Sequence, residues 1–174
     1  MKCKIKYYGG GIKMKAEYIN PFIESAQSVV NMLLGIEIKT GKAYLKNPPF
    51  LVNQTVIVIG IIGEIKGQVY FELTTDTTKK IASGMMGGMT ITELDEISKS
   101  AVSEMVNMIM GNTSTIFANK NIEVDITPPT LLIGDKIEIS HKDSIIVVPL
   151  ELEGLGTIAI NAAVEEVASA ACER

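Results

Sequence analysis

Residues 55–73 read TVIVIGIIGEIKGQVYFEL. Ile and Val recur through it, and both residues favour extended backbone in a sheet. Gly63 lies near its middle, where glycine is typical of a turn between two strands. The stretch and its flanks therefore predict a pair of antiparallel strands, at 51–62 and 65–73.

The same pattern returns later in the chain, which indicates an internal repeat. Residues 143–161, DSIIVVPLELEGLGTIAIN, resemble the first stretch at an offset of about 88 residues. Upstream of each stretch, SVVNMLLG at 28–35 aligns with EMVNMIMG at 104–111, at an offset of 76 residues. Chance similarity between apolar segments is the alternative, but two matches in the same order argue against it. Each half thus reads as a helix followed by strands.

The predicted fold class is α/β of the α+β type, with an internal duplication. Two equivalent long helices are expected to pack on a largely antiparallel sheet. The first helix is expected to start with Asn20 as its cap and Pro21 as its first residue, and to stop at Gly35. Further helices are predicted at 76–86 and 92–119, and further strands at 122–126, 131–139, 144–152 and 156–164.

The length of 174 residues fits one domain, which we place at 14–164. Residues 1–13 are basic, rich in glycine and without periodicity, and we expect a disordered leader. Residues 165–174 are small and charged, and we expect a frayed tail.

Composition excludes some classes of function. The formal net charge of −4 leaves no basic field for nucleic acid, and no cluster of Lys and Arg indicates a membrane surface. The N-terminus lacks the apolar core of a signal peptide, so we expect a cytoplasmic protein. Cys3 and Cys172 are expected to be idle thiols rather than a disulfide.

One pair of polar residues distinguishes the second long helix from the first. Glu104 and Asn107 are three residues apart and therefore share a helix face, whereas the first helix has Ser28 in place of the acid. Ser100 and Gly111 continue that face and would leave it low enough for another protein to lie on. On its own, such a pair is usually just a solvated helix face. Other faces are predicted to enter the core through Leu94, Ile97, Ala101, Val102, Met105, Met108 and Ile109.

Several segments together resemble the CheX-type chemotaxis phosphatases, which are grouped with CheC and the phosphatase region of FliY. They are GIEIKTGK at 35–42, SGMMGGM at 83–89, LDEISKSAVSEMVNMIMGN at 94–112 and VDITPPTLLIG at 124–134. CheC-type members carry a Glu-x-x-Asn signature in both helices, and CheX-type members carry it only in the second. The serine at position 28 therefore fits the CheX type.

The resemblance implies a phosphatase that acts on the phosphoaspartate of a CheY-like response regulator. It implies that Asn107 orients the attacking water and that Glu104 pairs with a lysine of the regulator. It also implies a homodimer, and a Mg²⁺ ion held by the regulator rather than by this chain, in which no carboxylate cluster has the spacing of a metal site. The alternative is a module that binds a response regulator or flagellar-switch component without catalysis.

Overall fold

A computed structural model describes residues 18–142 and 144–167 of the chain. The predicted leader at 1–13, both cysteines and most of the predicted tail lie outside these residues. The described helices are α1 (Asn20–Leu34), α2 (Thr75–Met85) and α3 (Glu96–Asn119). The described strands are β1 (Ile38–Thr40), β2 (Tyr44–Lys46), β3 (Phe50–Gly63), β4 (Ile65–Leu73), β5 (Val124–Ile126), β6 (Thr130–Ile139), β7 (Ile145–Leu152) and β8 (Gly156–Glu166).

All described strands join one antiparallel sheet in the order β1-β7-β8-β4-β3-β5, with β2 also pairing with β7 and β6 with β3. The predicted pair at its centre is confirmed, because Thr55 of β3 lies opposite Leu73 of β4 and Ile61 lies opposite Gly67. Read from the other edge, the order is β5-β3-β4-β8-β7-β1. The two readings match when β5, β3 and β4 take the places of β1, β7 and β8.

The three helices cover one face of the sheet and enclose the main core. Alternate residues of β3, Ile57, Ile59 and Ile61, point into this core because side chains in a strand alternate between the two faces. Phe22 at the start of α1 packs edge-on against Phe117 near the end of α3, with ring centroids 5.8 Å apart. The start of α1 therefore lies beside the end of α3. The fold is α+β, as predicted.

The first helix differs slightly from the prediction at its start. Asn20 is already helical, and the cap position belongs to Ile19, which has no capping side-chain hydrogen bond. Pro21 lies within the first turn, where its missing N–H costs nothing. At the other end Gly35 adopts the left-handed conformation with φ of 67°, and its N–H bonds the carbonyl of Asn31 at 2.8 Å. The predicted stop is confirmed.

Some boundaries were wrong. The longest helix begins at Glu96 rather than at residue 92, because the side chain of Asp95 caps it. Strands β1 and β2 were not predicted, and β8 runs two residues past its predicted end at 164. Among the described residues, no helix is both long and apolar enough to span a membrane.

Candidate active site

The candidate site lies on α3, whose start is fixed by a local cap. The Asp95 carboxylate accepts hydrogen bonds from the Ser98 backbone N–H at 2.8 Å and from the Ser98 hydroxyl at 2.7 Å. These bonds, the hydroxyl first, lower the pKa of the Asp95 carboxyl. A negative charge at this position also suits the positive end of the helix dipole. The cap fixes where α3 begins.

Glu104 and Asn107 lie next to each other on the outer surface of α3. Glu104 is exposed and Asn107 is half-buried. Residues three apart on a helix have Cβ atoms about 5–6 Å apart, so both side chains can reach one bound group. Neither side chain makes a hydrogen bond or ion pair with another residue of the described part of the chain. Their polar atoms are therefore available to a partner.

The opposite face of α3 holds the pair in place. Met105 and Val106, which lie between Glu104 and Asn107 in sequence, are fully buried, as are Ile109 and Met110 one turn later. Because these side chains are buried, α3 cannot rotate about its own axis without exposing them to solvent. The orientation of the polar pair is thus set by the core.

The residues on either side of the pair are small, so few side-chain atoms project from the helix there, as the sequence predicted. Ser100, one turn before Glu104, is exposed and small. Gly111, one turn after Asn107, faces open space, since a Cβ built there would have no neighbour within 4 Å. A folded partner can therefore approach the helix backbone closely on either side of the pair.

Three predicted core residues are not in the core. Leu94 and Ala101 are only partly buried and are not part of the buried cluster. Ile97 has 65% of its surface exposed, whereas Val102, Met105 and Ile109 are buried as predicted. Ile97 lies seven residues before Glu104, which is almost two full turns, and so belongs to the same outer face. The spacing of seven residues already places Ile97 on this face, although isoleucine is more often buried than exposed.

The matching position on α1 is built differently. Asn31 is exposed, and its side-chain N–H donates to the carbonyl oxygen of Ile36 at 3.4 Å, across the end of the helix. Ser28, in the place of the acid, is also exposed. Asn31 therefore has a local structural partner of a kind that Asn107 lacks.

A shallow groove borders the candidate site on one side. It has a volume of about 420 Å³ and lies between the first turns of α3 and strand β6. Leu131 and Ile133 contribute its apolar part, and Ser100 and Ser103 of α3 line the other wall. On the rim, Lys99 and Glu96 pair with each other at 2.8 Å. The sequence did not predict this groove, because it depends on how β6 pairs with β3.

The resemblance implies that the regulator, rather than this chain, holds the metal ion. In the two described segments, 18–142 and 144–167, no three His, Cys, Asp or Glu side chains are grouped so that they could hold a metal ion. The assignment of Mg²⁺ to the regulator stays a prediction.

Comparison with known proteins gives consistent results. Residues 55–151 match the family model of the chemotaxis phosphatase CheX. The CheY-P phosphatase CheX of Thermotoga maritima is 35% identical over 139 residues, which are 80% of this chain and 90% of that protein.

Solved structures are similar over nearly the whole described chain. A CheC-like superfamily protein from Shewanella sp. PV-4 is 27% identical with a TM-score of 0.77, covering 87% of this chain and 99% of that one. The CheX–CheY–BeF₃–Mg²⁺ complex from Borrelia burgdorferi matches with 30% identity and a TM-score of 0.73, covering 87% of this chain and all of the matched chain.

Proposed function

This chain belongs to the CheX family of chemotaxis phosphatases and dephosphorylates a CheY-type response regulator, and we propose that Glu104 and Asn107 carry out that reaction. The observation that carries the proposal is their position. They lie side by side on the outer face of a helix whose inner face is buried, and neither is engaged by another described residue.

The reaction is the hydrolysis of an acyl phosphate. The oxygen of a water molecule forms a bond to phosphorus while the bond from phosphorus to the aspartate oxygen breaks. The electron pair of that bond stays on the aspartate carboxylate, and the proton of the water leaves with the phosphate or to solvent. The chain has to place the water in line with the breaking bond, because most of the gain in such transfers comes from position and charge.

Asn107 is suited to orient this water. A carboxamide is too weak a base to take the proton, but its oxygen accepts a hydrogen bond from the water and its N–H₂ donates to a neighbouring oxygen. The half-buried position of Asn107 restricts its side chain more than a fully exposed one. The residue thus acts mainly in the transition state and contributes little to docking.

Glu104 is suited to anchor the regulator. Its exposed carboxylate has no cation among the described residues, so a lysine beside the phosphoaspartate can form a charge-assisted contact with it. Mg²⁺ is held by the regulator, where it neutralises the phosphoryl oxygens. The Borrelia burgdorferi complex, which contains CheX, CheY, BeF₃ and Mg²⁺, supports a CheY-type regulator as the partner.

The duplication is part of the proposal, with one active site only. The symmetric strand order and the two Asn residues at aligned helix positions support two related halves. Ser28 replaces the acid in the first half, and Asn31 instead bonds the end of its own helix. We place no second site there.

Assembly and location complete the proposal. The chain acts as a homodimer in the cytoplasm, where response regulators are found. Strand β6 supports the dimer, since it pairs with β3 alone among the described strands and exposes Leu132. An unprotected edge strand of this length favours association with a second copy.

The proposed function is tested by the loss of phosphate from regulators. A panel of phosphorylated CheY-type regulators is incubated with and without the chain, and the remaining phosphoprotein is measured over time. Faster loss for at least one regulator supports the phosphatase, and unchanged decay for all of them contradicts it.

A further inference from the structure

The outer face of α3 carries an apolar side chain in line with the polar pair. Ile97 is 65% exposed and lies seven residues before Glu104. At 1.5 Å per residue and 3.6 residues per turn, it is about 10 Å along the helix and rotated by only about 20°. An isoleucine exposed to this degree on a helix has no role in the core of the monomer.

Apolar surface from the sheet lies beside this part of the helix. Ile133 of β6 is 47% exposed and lines the groove together with Leu131. Ser100 belongs both to this groove and to the stripe that carries Glu104, so the two surfaces are continuous. The charged residues on the rim, Lys99 and Glu96, are paired with each other, which leaves the groove without a strong local charge.

A regulator that reaches Asn107 also covers Ile97. An interface of standard size buries about 800 Å² on each partner, which corresponds to a patch about 30 Å across. Ile97 is about 15 Å from Asn107 along the helix axis, so both residues fall inside such a patch when it is centred midway between them. Interface side chains that are fully removed from water carry most of the binding energy.

We propose that Ile97 and the groove formed with Leu131 and Ile133 are the apolar docking surface for the response regulator, and that they add to the affinity that Glu104 supplies. This inference rests on the proposed phosphatase function. It divides the site into two parts: the groove and Ile97 hold the partner through apolar contact, and Asn107 acts on the water. The regulator is expected to present an apolar side chain to this surface.

Ile97→Thr tests the docking surface, because threonine keeps the β-branch but removes most of the apolar area. The dissociation constant for the beryllofluoride form of the regulator should rise roughly tenfold, since full burial of an isoleucine contributes about that much or more. The turnover at saturating regulator should be unchanged. Ile97→Val, which stays apolar, should bind within about twofold to threefold of the original chain.

A matched control comes from another exposed isoleucine. Ile62 is 61% exposed on the sheet face away from the helices, and Ile62→Thr should change neither affinity nor turnover. The regulator used is the one that the original chain dephosphorylates fastest. Equal affinity of the Ile97→Thr and original chains would overturn the docking surface. So would an Ile97→Thr chain whose homodimer mass changes while its affinity for the regulator stays the same. If no regulator is dephosphorylated by the original chain, the proposed function itself has failed.

Discussion

At the scale of single residues, the surroundings of two asparagines separate a structural role from a chemical one. Asn31 and Asn107 each follow two apolar residues in aligned segments, and only Asn107 has an acid three residues before it. In the structure, the amide of Asn31 donates to the carbonyl of Ile36, whereas the amide of Asn107 has no partner among the described residues. The sequence signal for this difference is Ser28, which lies where α3 has the acid Glu104.

Glu104→Ala is expected to weaken docking of the regulator. A hydrogen bond to a charged group contributes roughly 1.5–3 kcal/mol, and its loss leaves the partner lysine poorly paired. The free energy of unfolding should hardly change, because Glu104 is exposed. Calorimetric titration of the beryllofluoride-activated regulator measures the affinity. Glu24→Ala, which removes an exposed glutamate from α1, is the control, and equal affinities for all three chains would refute the anchoring role.

At the scale of elements, the sequence predicted the long units and the short strand β5, and it missed β1 and β2. Strands β3 and β4 carry a regular pattern over many residues and are interrupted by Gly63, so they were found. Strands β1 and β2 have three residues each and are mostly exposed, so no periodicity can reveal them. The exposure of Ile97 was missed for a different reason: burial depends on the packing of neighbouring elements, and hydrophobicity alone does not decide it.

Gly111→Ala is expected to stabilise α3. Glycine inside a helix costs about 0.5–1 kcal/mol relative to alanine, and a Cβ at Gly111 would meet no atom within 4 Å. Denaturant unfolding should show a gain of about that size. Gly84→Ala in α2 is the control, since its Cβ would lie 2.7 Å from a side-chain carbon of Leu34. A larger gain at Gly84 than at Gly111 would contradict this account of packing.

At the scale of the whole molecule, the sheet accounts for the position of the site and for the proposed dimer. Its central strands support the helices on one face, and β6 forms part of one edge, beside the start of α3. The position of that strand could not be predicted from the sequence, since it follows from the pairing of β6 with a distant part of β3. The groove beside the site has the same origin.

The chain should be a symmetric dimer at micromolar concentration when measured by light scattering. Leu132→Lys places a charge on the exposed edge strand and should shift the mass toward that of the monomer, because lysine on an edge opposes pairing. Leu45→Lys, on the opposite edge of the sheet, should leave the dimer intact. A monomeric mass for the original chain, or dissociation only by the change at Leu45, would contradict an interface at β6.

The central claim, that Glu-x-x-Asn on α3 is the one working site, is tested most directly by comparing Asn107→Ala with Asn31→Ala. The decay of the phosphorylated regulator is measured for each variant at matched concentration. Asn107→Ala should lose most of the phosphatase activity and keep its affinity for the regulator, since an orienting group acts in the transition state. Asn31→Ala should stay close to the original rate. Equal loss in both variants would mean that α1 carries a second site, and full activity of Asn107→Ala would contradict the mechanism.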